Sequence, residues 1–487
     1  MVSQVISSYQ ANTVNPASSS ADRFQWTKQW YPVAVVEFLA VDRPHSIQVL
    51  GIDMVLWRDS SKSWRCFEDV CPHRLAPLSE GRVEADGTIL CAYHAWRFNS
   101  AGDCVSIPQS KPGTEADRCS NPKARAIAYP TQEQQGLVWV WPESGAEAER
   151  ESQERSPRLA PELNDSSERV VKLSWNFRDL PYGWDFFMEN VADPAHVPVS
   201  HHGLMGSRYQ DAKYYDMPEV RSISTQEGFS FAIEPTPSTV ERAIHDFQPP
   251  CLMRIESTFV DGGSLILVLY ATPTRPGWCR HIGCQILIKN EAGKTPRGLA
   301  FFALPLPTWL GHILASLFLH QDLVFLHYQE KRLAKRQERW LQKVYTPNPQ
   351  DKMVITFRQW LENRAGGGVP WPEDCRETLA TEKPISLFDV WETHTKHCQV
   401  CQRALERIIL LTRGVWLGAF LSLFVAIMLD ARFYALTAST QSDIWQMPPT
   451  TTWIFLSIAA ILGASGYGLQ KLKGLFYRYE FRHADND

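Results

Sequence analysis

Two short motifs carry the first chemistry in this sequence. Cys71-Pro-His73 is followed, after seventeen intervening residues, by Cys91-Ala-Tyr-His94-Ala-Trp96. Each half offers one thiolate and one imidazole. Two such halves on facing loops supply two soft sulfurs to one metal and two imidazoles to another. A Cys2His2 zinc site draws on the same residue types, but a zinc finger pairs its cysteines in one half and its histidines in the other. Mixed halves suit a two-iron cluster in which histidine replaces cysteine on one iron and raises the reduction potential, the Rieske [2Fe–2S] arrangement. Cys71, His73, Cys91 and His94 are therefore the expected cluster ligands, and the rest of the chain is read as a consumer of electrons.

A second constellation lies in Asn190-Val-Ala-Asp193-Pro194-Ala-His196-Val-Pro-Val-Ser-His201-His202. Imidazoles five apart around a bend, with one distant carboxylate, can occupy one face of a ferrous ion and leave the other open. His196 and His201 are the expected ligands. A surface loop with incidental histidines is the alternative, and the upstream cluster weighs against it. Asp322, near the start of an amphipathic helix in which Leu323, Phe325, Leu326 and Leu333 can pin it to a core, is the expected carboxylate. Glu330 is the rival ligand, and a helix N-terminus alone would also favour an acid at Asp322. Asp193 has two compatible readings, a turn residue before Pro194 and a hydrogen-bond acceptor for an imidazole N–H.

The elements that must position these groups follow from composition and pattern. The chain has 487 residues, 49 basic against 53 acidic side chains and a formal charge of -4, with no long basic block, which excludes nucleic acid as an expected partner. Eleven scattered cysteines suit free thiols in a reducing compartment rather than a disulfide scaffold. Residues 1–25 are Ser/Asn-rich and fit neither a secretory signal nor an Arg-rich transit peptide, so a disordered tail is expected, of a cyanobacterial chain or of an organelle protein already relieved of its presequence. Over 26–144, short runs rich in β-branched and aromatic residues, such as Tyr31–Glu37, Ile47–Ile52, Met54–Trp57 and Gly136–Trp141, predict an all-β domain carrying both ligand loops. Residues 145–169 are charged and poor in large apolar side chains, and predict a linker. Strand-like runs at Ser264–Tyr270 and His281–Ile288, followed by a helical pattern over Leu317–Trp340, predict an α+β domain over 170–345.

Residues 346–407 are a C-terminal extension containing His394-Thr-Lys-His397-Cys398-Gln-Val-Cys401. Three readings stand for this C-x-x-C: a redox pair, half a zinc site with His394 and His397, or two incidental thiols. Residues 408–429 and 453–469 are each apolar and long enough to cross a bilayer with some tilt, against the alternative of a buried helical hairpin. Arg403, Arg407, Arg413, Lys471, Lys473, Arg478 and Arg482 flank the pair outside, against Arg432 between them. The positive-inside rule then puts both ends and the iron domains on the cytoplasmic or stromal side. Phe301–Leu319 is also apolar, but Pro305 and Pro307 shorten its helical part, which predicts a core helix, with a lipid-dipping surface as the alternative.

The motifs CPHR…CAYHAWRF, ENVADPAHVPVSHHG and HQDLVFLHYQE together resemble the Rieske non-haem iron oxygenases. The branch is that of pheophorbide a oxygenase, chlorophyllide a oxygenase and the Rieske-type component of the inner chloroplast envelope translocon. The resemblance runs over most of the chain and implies a helix-grip-like catalytic domain. It also implies cluster ligation by Cys71, His73, Cys91 and His94, and Fe(II) ligation by His196, His201 and Asp322. Asp193 would bridge to a neighbouring subunit's cluster in a head-to-tail trimer, and Cys398 and Cys401 would answer to thioredoxin. The family commonly has Gly where this chain has Ala95, so an extra methyl must fit beside the cluster. The implied activity is that of a membrane monooxygenase taking electrons from ferredoxin and using O2 on a chlorophyll-derived tetrapyrrole, in a thylakoid, envelope or cyanobacterial membrane. A pheophorbide oxygenase, a chlorophyllide or protochlorophyllide methyl-group hydroxylase, and an oxygenase of a lipid or sterol all keep that mechanism. A translocon-type redox sensor without turnover is the rival class.

Overall fold

The computed structural model describes residues 23–237, 239–296, 299, 304, 306–336, 339–373, 384–439 and 447–485. The expected N-terminal tail lies largely outside them. The chain forms two compact units, one of Met1–Pro307, Phe318–Leu387 and Arg482–Asp487, the other of Thr308–Leu317 and Phe388–Phe481.

In the first unit, the N-terminal part is built from antiparallel strands. His45–Val49, Ile52–Arg58, Trp64–Glu68 and Ala128–Tyr129 make one four-stranded sheet, and Arg82–Val83, Ile89–Leu90, Arg97–Phe98 and Cys104–Ser106 make another. A third sheet orders Tyr31–Val35, Leu137–Val140 and Thr131–Gln134. The run Ile47–Ile52 is a hairpin rather than one strand. Val49 pairs with Ile52, and Leu50 and Gly51 between them both have positive φ, 52° and 83°, the two-residue turn whose twist matches that of antiparallel strands. Val55, Trp57, Phe67, Leu78, Ile89 and Phe98 pack into one core that also contains Cys71 and Cys91. Both sulfurs are therefore placed by apolar packing. The charged segment 145–169 is ordered chain held by polar anchors. It contains the helix Ala146–Gln153, and Trp30 Nε1 donates to Ser152 O at 3.1 Å and Arg155 O at 2.8 Å.

The catalytic part is an eight-stranded antiparallel sheet whose longest neighbours are Ser264–Arg275 and Trp278–Ile288. The helix Trp184–Ala192 packs on it, with the Phe187 ring 4.7 Å from His281 and Trp184 6.4 Å from Phe247. A third layer is the amphipathic helix Lys352–Asn363, whose Phe357 lies 5.6 Å from Trp184. Arg358 of that helix is almost wholly buried and clamps the first: Nη1 donates to Asp185 at 2.6 Å and Nε to Glu189 at 2.6 Å. The helix so clamped runs directly into Asp193 and His196.

One expectation needs correcting. Thr308–Arg336 is a single 29-residue helix, beginning just after Pro307 and merging the core helix and the later helical pattern read separately from sequence. Proline before the first turn costs no helical hydrogen bond, which is why the boundary falls there. Trp340 belongs to a separate short helix, Trp340–Lys343. Among the described residues, three helices, not two, are thus long and apolar enough to cross a membrane. The three differ in what covers them: 44% of the apolar window of Thr308–Lys335 is buried, against 17% for Gln399–Ala438 and 11% for Thr450–Gly474.

In the second unit, the helices Gln399–Ala438 and Thr450–Gly474 pack on each other. Gly466 makes the approach possible, since a Cβ there would stand 2.9 Å from the Trp416 indole. Leu410, Leu417, Phe420, Phe424, Trp453 and Ile461 remain exposed, an apolar surface too extensive for water.

Removing the Arg358 clamp leaves two part-buried carboxylates facing each other without a cation. Arg358→Ala is expected to destabilise the first unit by about 3 kcal/mol, read as a lowered thermal midpoint in detergent, and an unchanged midpoint would show that the clamp adds nothing.

Candidate functional site

The two cluster motifs fold as two copies of one turn. Leu75 N donates to Cys71 O at 2.9 Å and Ala95 N to Cys91 O at 3.0 Å, while Cys71 N donates to Ala76 O at 2.8 Å and Cys91 N to Trp96 O at 2.9 Å. Leu75 and Ala95 both sit at φ 58°. That left-handed backbone is the physical reason glycine suits position 95, and this chain tolerates an alanine there. The His73 and His94 rings meet at 4.5 Å between centroids, and Trp96 stacks on His73 at 4.6 Å with an interplanar angle of 6°. Burial, opposed by backbone hydrogen bonds and reinforced by the adjacent Cys91, pushes the Cys71 thiol up to about 12. A buried thiol so raised gives up its proton most readily beside a cation. His73 Nδ1 is buried without a hydrogen-bond partner. Paired thiols and an orphaned imidazole nitrogen fit a [2Fe–2S] cluster bound by these four residues.

The second site joins two distant stretches. His196 caps the start and His201 the end of the short helix Val197–Ser200, and Asp322 comes from the long helix Thr308–Arg336. One donor atom from each of the three lies within 4.8 Å of the others. His196 Nδ1 donates to Asp193 O at 2.5 Å, and His201 Nδ1 to Gln321 Oε1 at 2.6 Å. Carbonyl oxygens only accept, so both rings carry a proton on Nδ1 and turn Nε2 inward, the nitrogen left to bind a metal. The Nε2 atoms stand 3.6 Å and 3.1 Å from Asp322 Oδ2, and that of His201 is buried with no hydrogen-bond partner. Asp322 is itself held, by Ser200 Oγ donating to Oδ1 and Asn190 Nδ2 donating to Oδ2 at 3.1 Å.

Charge fits a cation as well as geometry does. Burial lowers the affinity of His196 for a proton, yet the carboxylates of Asp193 and Asp322 hold it up to about 10. The pocket thus draws positive charge strongly. His201 is 1% exposed and stacks on Phe318 at 3.9 Å, whereas His196 is 20% exposed, so the centre is closed on the first side and approachable on the second.

Asp193 turns the chain, its Oδ1 accepting from Ala195 N at 2.8 Å, but the acceptor of the His196 N–H is its backbone carbonyl, and Oδ2 stands 3.6 Å from His196 Nδ1. Glu330 is eight residues beyond Asp322, about 12 Å along the helix, and is not among the gathered donors. His202 accepts from Arg208 N at 3.1 Å, a role in its own loop. Cys398 and Cys401 belong to the second unit. Sequence reasoning missed Asn190, Ser200 and Gln321. All three lie within or beside the quoted motifs, but nothing in residue type says that they hold a ligand rather than bind metal.

The chain matches two described families: Rieske [2Fe-2S] domain over residues 29–128 and Pheophorbide a oxygenase over residues 247–340. It is 32% identical over 495 residues to pheophorbide a oxygenase, chloroplastic, of Oryza sativa subsp. japonica, covering 97% of this chain and 88% of that protein. It is equally 32% identical over 443 residues to flavonoid 8-hydroxylase 2, chloroplastic, of Ocimum basilicum, covering 86% and 81%. Among solved structures, dicamba monooxygenase bound to dicamba superposes with a TM-score of 0.54 at 18% identity, over 70% of this chain and 97% of that one, a likeness of fold alone.

Replacing Ala95 with glycine relieves the left-handed strain without touching a ligand. Ala95→Gly is expected to stabilise the cluster-bearing domain by about 1 kcal/mol, seen as a higher temperature for loss of the cluster's visible absorption; a lower one would mean that the methyl packs favourably.

Proposed function

Since the chain belongs to the Rieske-domain oxygenases of the pheophorbide a oxygenase, chlorophyllide a oxygenase and TIC 55 branch, we propose that it is a membrane-anchored monooxygenase of a chlorophyll-derived tetrapyrrole. The observation that carries the oxygenase reading is the His196–His201–Asp322 convergence, with both imidazole tautomers fixed outward and one side approachable. A redox sensor without turnover has no use for that arrangement. The tetrapyrrole reading rests on the relatives: pheophorbide a oxygenases of Oryza sativa and Arabidopsis thaliana match 97% and 95% of this chain. The basil flavonoid hydroxylase, at the same identity, supports a second reading in which the same centre hydroxylates a flavonoid.

When bound, the cluster supplies single electrons at a raised potential and the ferrous ion supplies the O2 chemistry. The chain's own residues arrange that chemistry. Cys71, His73, Cys91 and His94 hold the cluster, beside the exposed side chains of Leu75 and Tyr93, where ferredoxin or a neighbouring subunit can dock. His196, His201 and Asp322 hold the iron. Asn190, Ser200, Gln321 and the Asp193 carbonyl keep those three from rotating when substrate enters. The Asp193 carboxylate faces the His196 N–H and offers the route by which a neighbouring subunit's cluster reaches this centre in a head-to-tail trimer.

Gln399–Ala438 and Thr450–Gly474 are the proposed membrane spans, because their apolar surfaces stay uncovered. The part of Thr308–Arg336 from Phe318 onward is assigned to the catalytic domain, because the helix's apolar window is the best covered of the three and this part carries Asp322, an anion that a bilayer interior would expel. Basic residues flank the outer ends of the pair, which puts both ends on the stromal or cytoplasmic side. The relatives named as chloroplastic support a chloroplast thylakoid or envelope membrane, or its cyanobacterial counterpart.

The test offers the iron-loaded protein reduced ferredoxin, labelled O2 and, in separate reactions, pheophorbide a, chlorophyllide a, protochlorophyllide a and a flavone. Label is expected in a tetrapyrrole, and product is expected to fall about 100-fold or more in Asp322→Ala with the cluster spectrum intact. Label in the flavone alone moves the substrate to the second reading. No label in any, with the cluster reduced, overturns the proposal.

A further inference from the structure

We propose that His312, His394, Cys398 and Cys401 form a closed zinc site in the second unit, separate in residues and in kind from both iron centres and independent of the oxygenase reading. His312 comes from the first turns of Thr308–Arg336. The other three come from the segment that opens Gln399–Ala438, with Cys398 at its N-cap. All four are buried, none more than 3% exposed. His312 Nδ1 stands 3.2 Å from Cys401 Sγ, 3.7 Å from Cys398 Sγ and 3.1 Å from His394 Nε2, and His394 Nε2 stands 3.3 Å from Cys401 Sγ. Every pair of donors falls within 4.8 Å.

These separations are the edges of one small tetrahedron. Zinc bound at its usual distances to sulfur and nitrogen sets its ligand atoms about 3.3–3.8 Å apart. A second [2Fe–2S] cluster is too large for the same cage, since it would put cysteines and histidines on different irons, and here each sulfur touches an imidazole nitrogen. Four protein donors with no side open are the mark of a structural rather than a catalytic ion, and a tetrahedral S2N2 set selects zinc. Binding converts two thiols to thiolates, releases two protons to solvent and leaves a neutral complex, which suits a buried position. The helix N-terminus at Cys398 further favours its thiolate.

The surrounding chain is already ordered for this. Thr395 Oγ1 donates to Phe476 O at 2.7 Å, Cys398 N to Thr395 O at 3.2 Å, and Gln402 Nε2 to Lys396 O at 2.5 Å. Of the histidines flanking the C-x-x-C, His394 joins the cage and His397 does not, while His312 lies 82 residues before its partner His394. Both cysteines lie at or below 1% exposure, which withholds them from a thioredoxin that must reach a sulfur to exchange it. The ion would tie the start of one helix to the base of the membrane hairpin.

The experiment is metal analysis of the full chain purified in detergent without chelator. One zinc per chain is expected beside the iron. In Cys398→Ser and in His312→Gln, zinc is expected to drop about tenfold or more, with iron content and cluster absorption unchanged. Should those variants fail to fold, the wild-type chain still decides the matter: blocking its thiols with an organomercurial is expected to release that zinc. Iron-replete protein without zinc, or with a Cys398–Cys401 disulfide by mass spectrometry, overturns the proposal, as does zinc that survives either substitution.

Discussion

A buried carboxylate that must be neutralised from several sides at once is the constraint on which the catalytic half depends. Asp322 lies on a helix otherwise clothed in Leu323, Leu326 and other apolar side chains, and an unpaired anion there would cost several kcal/mol. Ser200 and Asn190 meet it with hydrogen-bond donors, and the two Nε2 atoms of His196 and His201 stand ready around it. Each partner comes from chain more than 120 residues away in sequence. The eight-stranded sheet and the Arg358 clamp exist, in this sense, to hold the end of Trp184–Ala192 where its following loop can meet that carboxylate.

The cluster end follows a different rule. The two motifs are positioned by backbone hydrogen bonds within each turn and by an apolar core that includes the sulfurs. Both turns need a left-handed residue at the fifth position of the motif, which turns the chain back so that cysteine and histidine face the same way. Duplication of one turn is what makes mixed Cys/His halves workable. It is also why a leucine and a tyrosine are left exposed beside the cluster.

Legibility from sequence followed how local each feature is. The cluster motifs are local, and their mixed spacing was enough to identify the centre. His196 and His201 are readable for the same reason, and Asp322 is the expected carboxylate because its amphipathic helix offers apolar side chains that can pin it to a core. Its supports were not legible, since Asn190, Ser200 and Gln321 acquire their roles only through contacts across the fold. The helix Thr308–Arg336 reads from sequence as two pieces, a short apolar run after Pro305 and Pro307 and a later amphipathic one, whereas Pro307 marks the start of a single helix. His312 was invisible as a ligand for the same kind of reason: it sits in an apolar run, and its partners follow more than eighty residues later. The C-x-x-C alone left three readings open, and only the convergence of four donors narrows them.

The central claim is that His196, His201 and Asp322 hold one ferrous ion with positions left free. Nitric oxide added to the reduced, iron-loaded chain reports this directly by electron paramagnetic resonance. The account predicts the high-spin ferrous nitrosyl signal in the wild-type chain and its loss in His201→Ala and Asp322→Ala, with the reduced cluster's signal retained in all three. A nitrosyl signal that persists without Asp322, or none in a wild-type chain carrying its full iron, would contradict it.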